Sequence, residues 1–177
     1  MNQSRSFSAF KIRGQRMVVE TALVFAGAMI LPFLVHLAPN QGGTPIGALW
    51  LPMFYAPLIA ALLLKPEAGF VAGVLVPLVN GLMTSSPAGM LMWSLSFEIG
   101  VFVLATYALN KYVKMRRWAW LSGLGGYLIT KTLSITLLSL IGQPFMQGWK
   151  AFLVAWPGML MFVIIGYVTI KWRENRY

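Results

Sequence analysis

Six predominantly apolar runs, at 17–37, 46–64, 68–83, 88–109, 118–141 and 152–170, alternate with short polar connections along the chain. About 20 apolar residues in a helix cross the hydrocarbon core of a bilayer. The pattern therefore predicts an all-α integral membrane protein with six transmembrane helices. The third run is short, which suits a tilted or partly re-entrant segment. Lys65-Pro66-Glu67 separates the second and third runs, and Thr84 to Pro87 the third and fourth. These connections leave no room for a second domain. Residues 1–177 read as a single six-helix membrane domain with a short basic segment at 1–16. The first run is too long for a signal peptide and is followed by five more.

Composition strengthens this reading. The chain has 177 residues, 58% hydrophobic and 10% charged, where soluble domains carry roughly 25% charged residues. Lys and Arg number 14 against four Glu and no Asp, a net charge of +10. The basic residues fall between apolar runs and not on one polar face, so nucleic acid is not an expected partner. They also set an orientation. Arg5, Lys11, Arg13, Arg16, Lys65, Lys111, Lys114, Arg116, Arg117, Lys171, Arg173 and Arg176 fall on one side of a six-span chain, and only Lys150 on the other. Both termini are expected in the cytoplasm, with the chain multi-pass in the cell inner (cytoplasmic) membrane. Cysteine is absent, which removes thiolate zinc sites and Cys nucleophiles.

Two ionisable residues lie inside the runs. Glu98 is about thirteen residues from Lys111, and Lys131 about thirteen from Trp118, so at 1.5 Å per residue both sit roughly 20 Å from the basic edge. An intramembrane charge is costly and marks a pairing or a functional site. Two readings stand here: a buried ion pair joining the fourth and fifth helices, or a polar cavity that holds a ligand. Tyr127, Lys131 and Ser134 share a helical face, as do Ser94 and Glu98, giving polar stripes on both helices. Asn80 adds an amide in the third run, either for helix packing or for a cavity beside Pro77. Trp50 and Trp149 suit an interfacial belt; Trp93 and Trp156 lie deeper. Trp149, Phe152 and Trp156 share one helical face, where stacking on a flat ligand is an alternative. The outer connection holding Asn40 and Gln41 is uncharged and polar, suited to closing over a mouth. His36, the only histidine, makes a poor metal site without Asp or Cys and reads as an interfacial or ligand hydrogen-bonding group. Ala22 and Ala26 form A-x-x-x-A, and Gly69 and Gly73 form G-x-x-x-G; both patterns permit close helix approach. Enzyme chemistry is not expected: there is no Asp, the lone histidine is on the first run, and two-histidine zinc motifs are impossible. No catalytic residue and no cofactor is expected.

The stretch Leu49-Trp50-Leu51-Pro52-Met53-Phe54-Tyr55-Ala56-Pro57-Leu58-Ile59-Ala60-Ala61 running into Gly69 and Gly73, the segment Asn80-Gly81-Leu82-Met83-Thr84-Ser85-Ser86-Pro87 followed by Glu98, and Ala22 with Ala26 together resemble the substrate-binding S components of energy-coupling factor vitamin transporters. Length, six spans and cytoplasmic termini agree. The chain departs from that pattern in having Lys65-Pro66 in place of a Gly-Pro turn and Ser86 in place of a glycine. It carries no fingerprint of a biotin, riboflavin, thiamine or cobalamin branch.

The resemblance implies a function. Such a protein binds a vitamin or other small micronutrient from outside, in a pocket of the outer halves of helices four to six closed by the first and third loops. It then docks on a membrane scaffold subunit through Ala22 and Ala26 and releases its cargo inward, driven by two cytoplasmic ATPase subunits. This chain has no phosphate-binding G-x-x-x-x-G-K-[ST] and supplies no ATPase of its own. Glu98, Lys131, Asn80, Trp93, Tyr127, Ser134, Trp156, Asn40, Gln41 and His36 are the expected substrate-binding residues. The competing readings are a non-transporting six-span membrane scaffold, in which Glu98 and Lys131 simply pair, and a stand-alone permease or channel.

Overall fold

A computed structural model describes residues 3–36, 46–84, 89–112 and 116–175, and every element among them is helical. In order these are α1 (Gln3–His36), α2 (Ile46–Trp50), α3 (Tyr55–Leu63), α4 (Pro66–Thr84), α5 (Met90–Tyr112), α6 (Ser122–Leu140), α7 (Phe145–Val154) and α8 (Trp156–Glu174). A 3-10 turn, Pro52–Phe54, joins α2 to α3, and another, Arg116–Leu121, leads into α6.

Four helical segments are long and apolar enough to span a membrane: Gly14–Val35, Pro66–Met83, Met90–Tyr112 and Trp118–Leu140. The pair α7 and α8, bent by 54° at their junction, makes a fifth if taken as one span. This is fewer than the six expected, and the second run accounts for the difference. It is broken rather than continuous. Pro52 has no N–H for the Ala48 carbonyl, and Leu51 takes a left-handed backbone conformation, φ 51°. The chain restarts as α3, only nine residues long. Irregular backbone at membrane depth is tolerated where protein buries it, and here it does. The Tyr55 hydroxyl donates to the Trp50 carbonyl, and Gly158 of α8 lies so close that an added Cβ would stand 2.9 Å from Leu51 Cγ.

Short as it is, α3 is central. It packs against α4, α5 and α8, with Leu58, Ala60 and Ala61 essentially inaccessible. Around the restart, Phe54, Phe102, Tyr127 and Phe162 form an interior aromatic cluster. Phe54 meets Phe102 edge-on at 5.2 Å between centroids and Tyr127 at 5.7 Å, and Tyr127 meets Phe162 at 5.2 Å. Such edge-to-face contacts add about 0.5–1.5 kcal/mol each beyond area burial.

Much of the outer surface is apolar. Leu82, Val18, Leu23, Phe33 and Val168 are all exposed. A water-facing surface of this kind would aggregate, whereas hydrocarbon has no preference against it. The molecule is a multi-pass integral membrane protein. At one end the Leu62 carbonyl accepts from Asn110 Nδ2 at 3.5 Å and Arg173 Nη1 at 3.1 Å. These bonds tie the C-terminal ends of α3, α5 and α8 together and satisfy a carbonyl that the last turn of α3 leaves without a helical partner. Lys65, Lys111 and Lys171 flank this end in sequence.

Candidate functional site

α5 and α6 pack along their length, close enough at one level that a Cβ on Gly126 would collide with the Thr106 side chain. That approach brings the two mid-run charges together. Lys131 Nζ donates to Glu98 Oε2 at 2.7 Å. Ser134, one turn further along α6, donates from its Oγ to Glu98 Oε1, also at 2.7 Å. Both carboxylate oxygens are therefore engaged, and Glu98 is only 4% exposed. Lys131 retains 18% of its side-chain accessibility, so the cationic member is the more open. Its ammonium also lies 5.9 Å from the centroid of the Tyr127 ring.

Tyr127 completes the stripe of α6 and is fully buried. Its hydroxyl has no hydrogen-bonding partner among the described residues. A buried hydroxyl left in this state costs about 1–3 kcal/mol. The Tyr127 ring is stacked on Phe152 of α7, with centroids 5.9 Å apart and planes 21° from parallel. Trp149 in turn meets Phe152 edge-on at 5.5 Å. The group thus offers one cation, one anion, a hydroxyl already bonded, a hydroxyl without a partner, and flat ring faces. These can hold a small polar molecule carrying both hydrogen-bond donors and acceptors.

Glu98, Tyr127, Lys131 and Ser134 are gathered at this one place; several other expected residues are not. Trp93 is 61% exposed and points away. It lines an apolar groove of about 360 Å³ between α4 and α5, with Phe70, Val74, Leu78 and Phe97. Five residues separate Trp93 from Glu98, about 140° around a helix at 3.6 residues per turn, so the helical period alone set them on different faces. Trp156, at the α7–α8 bend, is 64% exposed. Asn80 is half-buried in α4, which continues as a helix through Pro77. His36 ends α1 and its side chain lies outside the described residues, as do Asn40 and Gln41. Phe152, whose ring covers Tyr127, is not one of the ten expected binding residues, but the face it shares with Trp149 and Trp156 was legible from their spacing.

The two small-residue patterns part company. Gly69 and Gly73 are buried, where added Cβ atoms would meet Ala60 and Val103, and Ile99, respectively. Ala22 and Ala26 are exposed on α1, on the side opposite Val24 and Ala28, which pack inward. No cluster of three or more potential metal ligands occurs among the described residues. No family model, curated protein or solved structure matches this chain.

Proposed function

We propose that this protein is the substrate-capturing S component of an energy-coupling-factor-type importer in the cytoplasmic membrane. In this reading the broken α2–α3 segment and the α7–α8 pair are each one span, giving six, and the basic end faces the cytoplasm with both termini. A vitamin or other small micronutrient binds at Glu98, Lys131, Ser134 and Tyr127. It is handed inward through a membrane scaffold subunit powered by two ATPase subunits. The observation that carries the reading is the buried Glu98–Lys131–Ser134 constellation beside the unpartnered Tyr127 hydroxyl. A purely structural ion pair needs no such hydroxyl, and a ligand gives it a partner. Exposed Ala22 and Ala26 support docking on a scaffold helix, because small residues let helices approach closely where hydrocarbon offers no hydrophobic drive.

The test is mass spectrometry of the small molecule retained by the purified protein. Native protein should hold one, and Glu98→Gln and Lys131→Met should lose it. Leucine at positions 22 and 26 should abolish co-purification of the scaffold subunit while leaving the small molecule bound. A second reading has its own observation: both oxygens of Glu98 are satisfied from within, as a non-transporting six-span membrane scaffold requires. That reading wins if native and variant proteins alike carry no small molecule and the variants only lose thermal stability.

A further inference from the structure

α7 packs against the same face of α6 that carries Tyr127. Two of its contacts are close. A Cβ added to Gly148 would stand 2.9 Å from Ile135 Cγ1, and Phe152 lies on the Tyr127 ring. Tyr127, Lys131 and Ile135 repeat at intervals of four, so they share one face of α6, and the two contacts bracket Lys131. Both ends of α7 are breaks. On one side Gly142 has a φ of +91°, a conformation that favours glycine, and Pro144 precedes the first turn. On the other, the chain bends by 54° at Ala155, ahead of Trp156 and Pro157. Of the ten residues of α7 only Phe152 is buried. An element held by few buried side chains between two breaks opens at low free-energy cost.

We propose that α7 is a gate hinged at Gly142 and Ala155, and that Phe152 holds the place of a planar ring in the cargo, stacked on Tyr127. Outward swing of α7 withdraws Phe152 and uncovers Tyr127, Lys131 and Ser134 together. An incoming ring takes the vacated face of Tyr127, with the edge of Trp149 beside it, and its polar rim meets the Tyr127 hydroxyl and the Lys131 ammonium. The identity of the cargo rests on the function proposed above; the hinge and the slot do not.

The chain has no cysteine, so Ser134→Cys installs a single thiol in the stripe. The full-length protein in proteoliposomes is treated with a membrane-impermeant maleimide, and labelling is followed by intact mass. Ser134→Cys alone should label slowly. Adding Phe152→Ala, or Gly148→Leu to pry α7 from Ile135, should speed labelling about tenfold or more. Indole, a planar ring, should slow the Phe152→Ala protein back towards the original rate, and methylcyclohexane, of similar bulk but not planar, should not. Leu58→Ala, which deletes a buried side chain of α3 away from α7, controls for general loosening. The gate is overturned if all backgrounds label alike, or if Leu58→Ala accelerates labelling as much as the α7 variants do. The planar slot is overturned if methylcyclohexane protects as well as indole. No scaffold or ATPase subunit takes part. A native protein that co-purifies with no scaffold subunit, yet gives the expected labelling pattern, would therefore sink the proposed function and leave the gate standing.

Discussion

The same local arrangement, a tyrosine followed four residues later by a lysine, occurs at Tyr127–Lys131 in the middle of α6 and at Tyr167–Lys171 near the end of α8. In each the ammonium lies over the ring of its own helix, 5.9 Å from the Tyr127 centroid and 5.6 Å from the Tyr167 centroid. The surroundings differ completely. Lys171 is exposed at the basic end, and its Nζ is 3.5 Å from the Tyr167 hydroxyl. Lys131 is held between Glu98 and the Tyr127 ring, and its tyrosine hydroxyl has no partner among the described residues. Helical spacing makes the pair; depth decides what it costs. At the surface water and lipid headgroups solvate the cation, and the pair adds little. In the interior the cation needs a carboxylate, which in turn needs Ser134.

That contrast can be broken most severely at Glu98. Glu98→Gln leaves a half-buried ammonium without its counter-ion, and the loss expected from breaking a pair whose carboxylate is buried is up to about 3–5 kcal/mol. Thermal unfolding in detergent should show it, and Glu98→Gln combined with Lys131→Met should recover much of the loss. A double variant as unstable as Glu98→Gln alone would mean that the pair is not a unit. Next in size is Arg173, two residues from Lys171 yet bonded to the Leu62 carbonyl. Arg173→Gln should cost about 1.5 kcal/mol, because this cation, unlike its neighbour, closes an interhelical contact.

A smaller effect of opposite sign is expected at Tyr127. Removing a buried hydroxyl that has no partner relieves its desolvation, so Tyr127→Phe should stabilise the ligand-free protein by about 1 kcal/mol. It should also weaken retention of the small molecule. A destabilised Tyr127→Phe protein would show that the hydroxyl is satisfied in the folded state. At the bottom of the range, Lys171→Gln should leave the unfolding midpoint unchanged, as surface substitutions usually do. One further measurement sharpens the geometry around the buried pair. Cβ positions at residues 135 and 148 are 3.5 Å apart, within the range a disulfide requires. Ile135→Cys with Gly148→Cys should therefore cross-link under mild oxidant, read as a loss of two hydrogens by intact mass.

The two small-residue patterns show how much of such detail can be read in advance. G-x-x-x-G and A-x-x-x-A both promise close helix approach, yet Gly69 and Gly73 are spent inside the bundle while Ala22 and Ala26 face outward. Nothing in either five-residue pattern distinguishes these fates. They follow from which side of α1 turns Val24 towards Ala60 and Ala72. Trp93 is a different case, because its position relative to Glu98 was legible in the helical period.

Run length and the placement of charge, both properties of the linear chain, were enough to establish that this is a helical membrane protein. Counting along two helices from a shared loop was enough to set Glu98 and Lys131 at a common level, because helical rise is constant. The break at Leu51–Pro52, the 54° bend before Trp156 and the burial of Phe152 on Tyr127 were decided only in three dimensions. Each trades a helical hydrogen bond or an exposed ring for contacts with a different helix. Such trades depend on neighbours distant along the chain, which no local periodicity records.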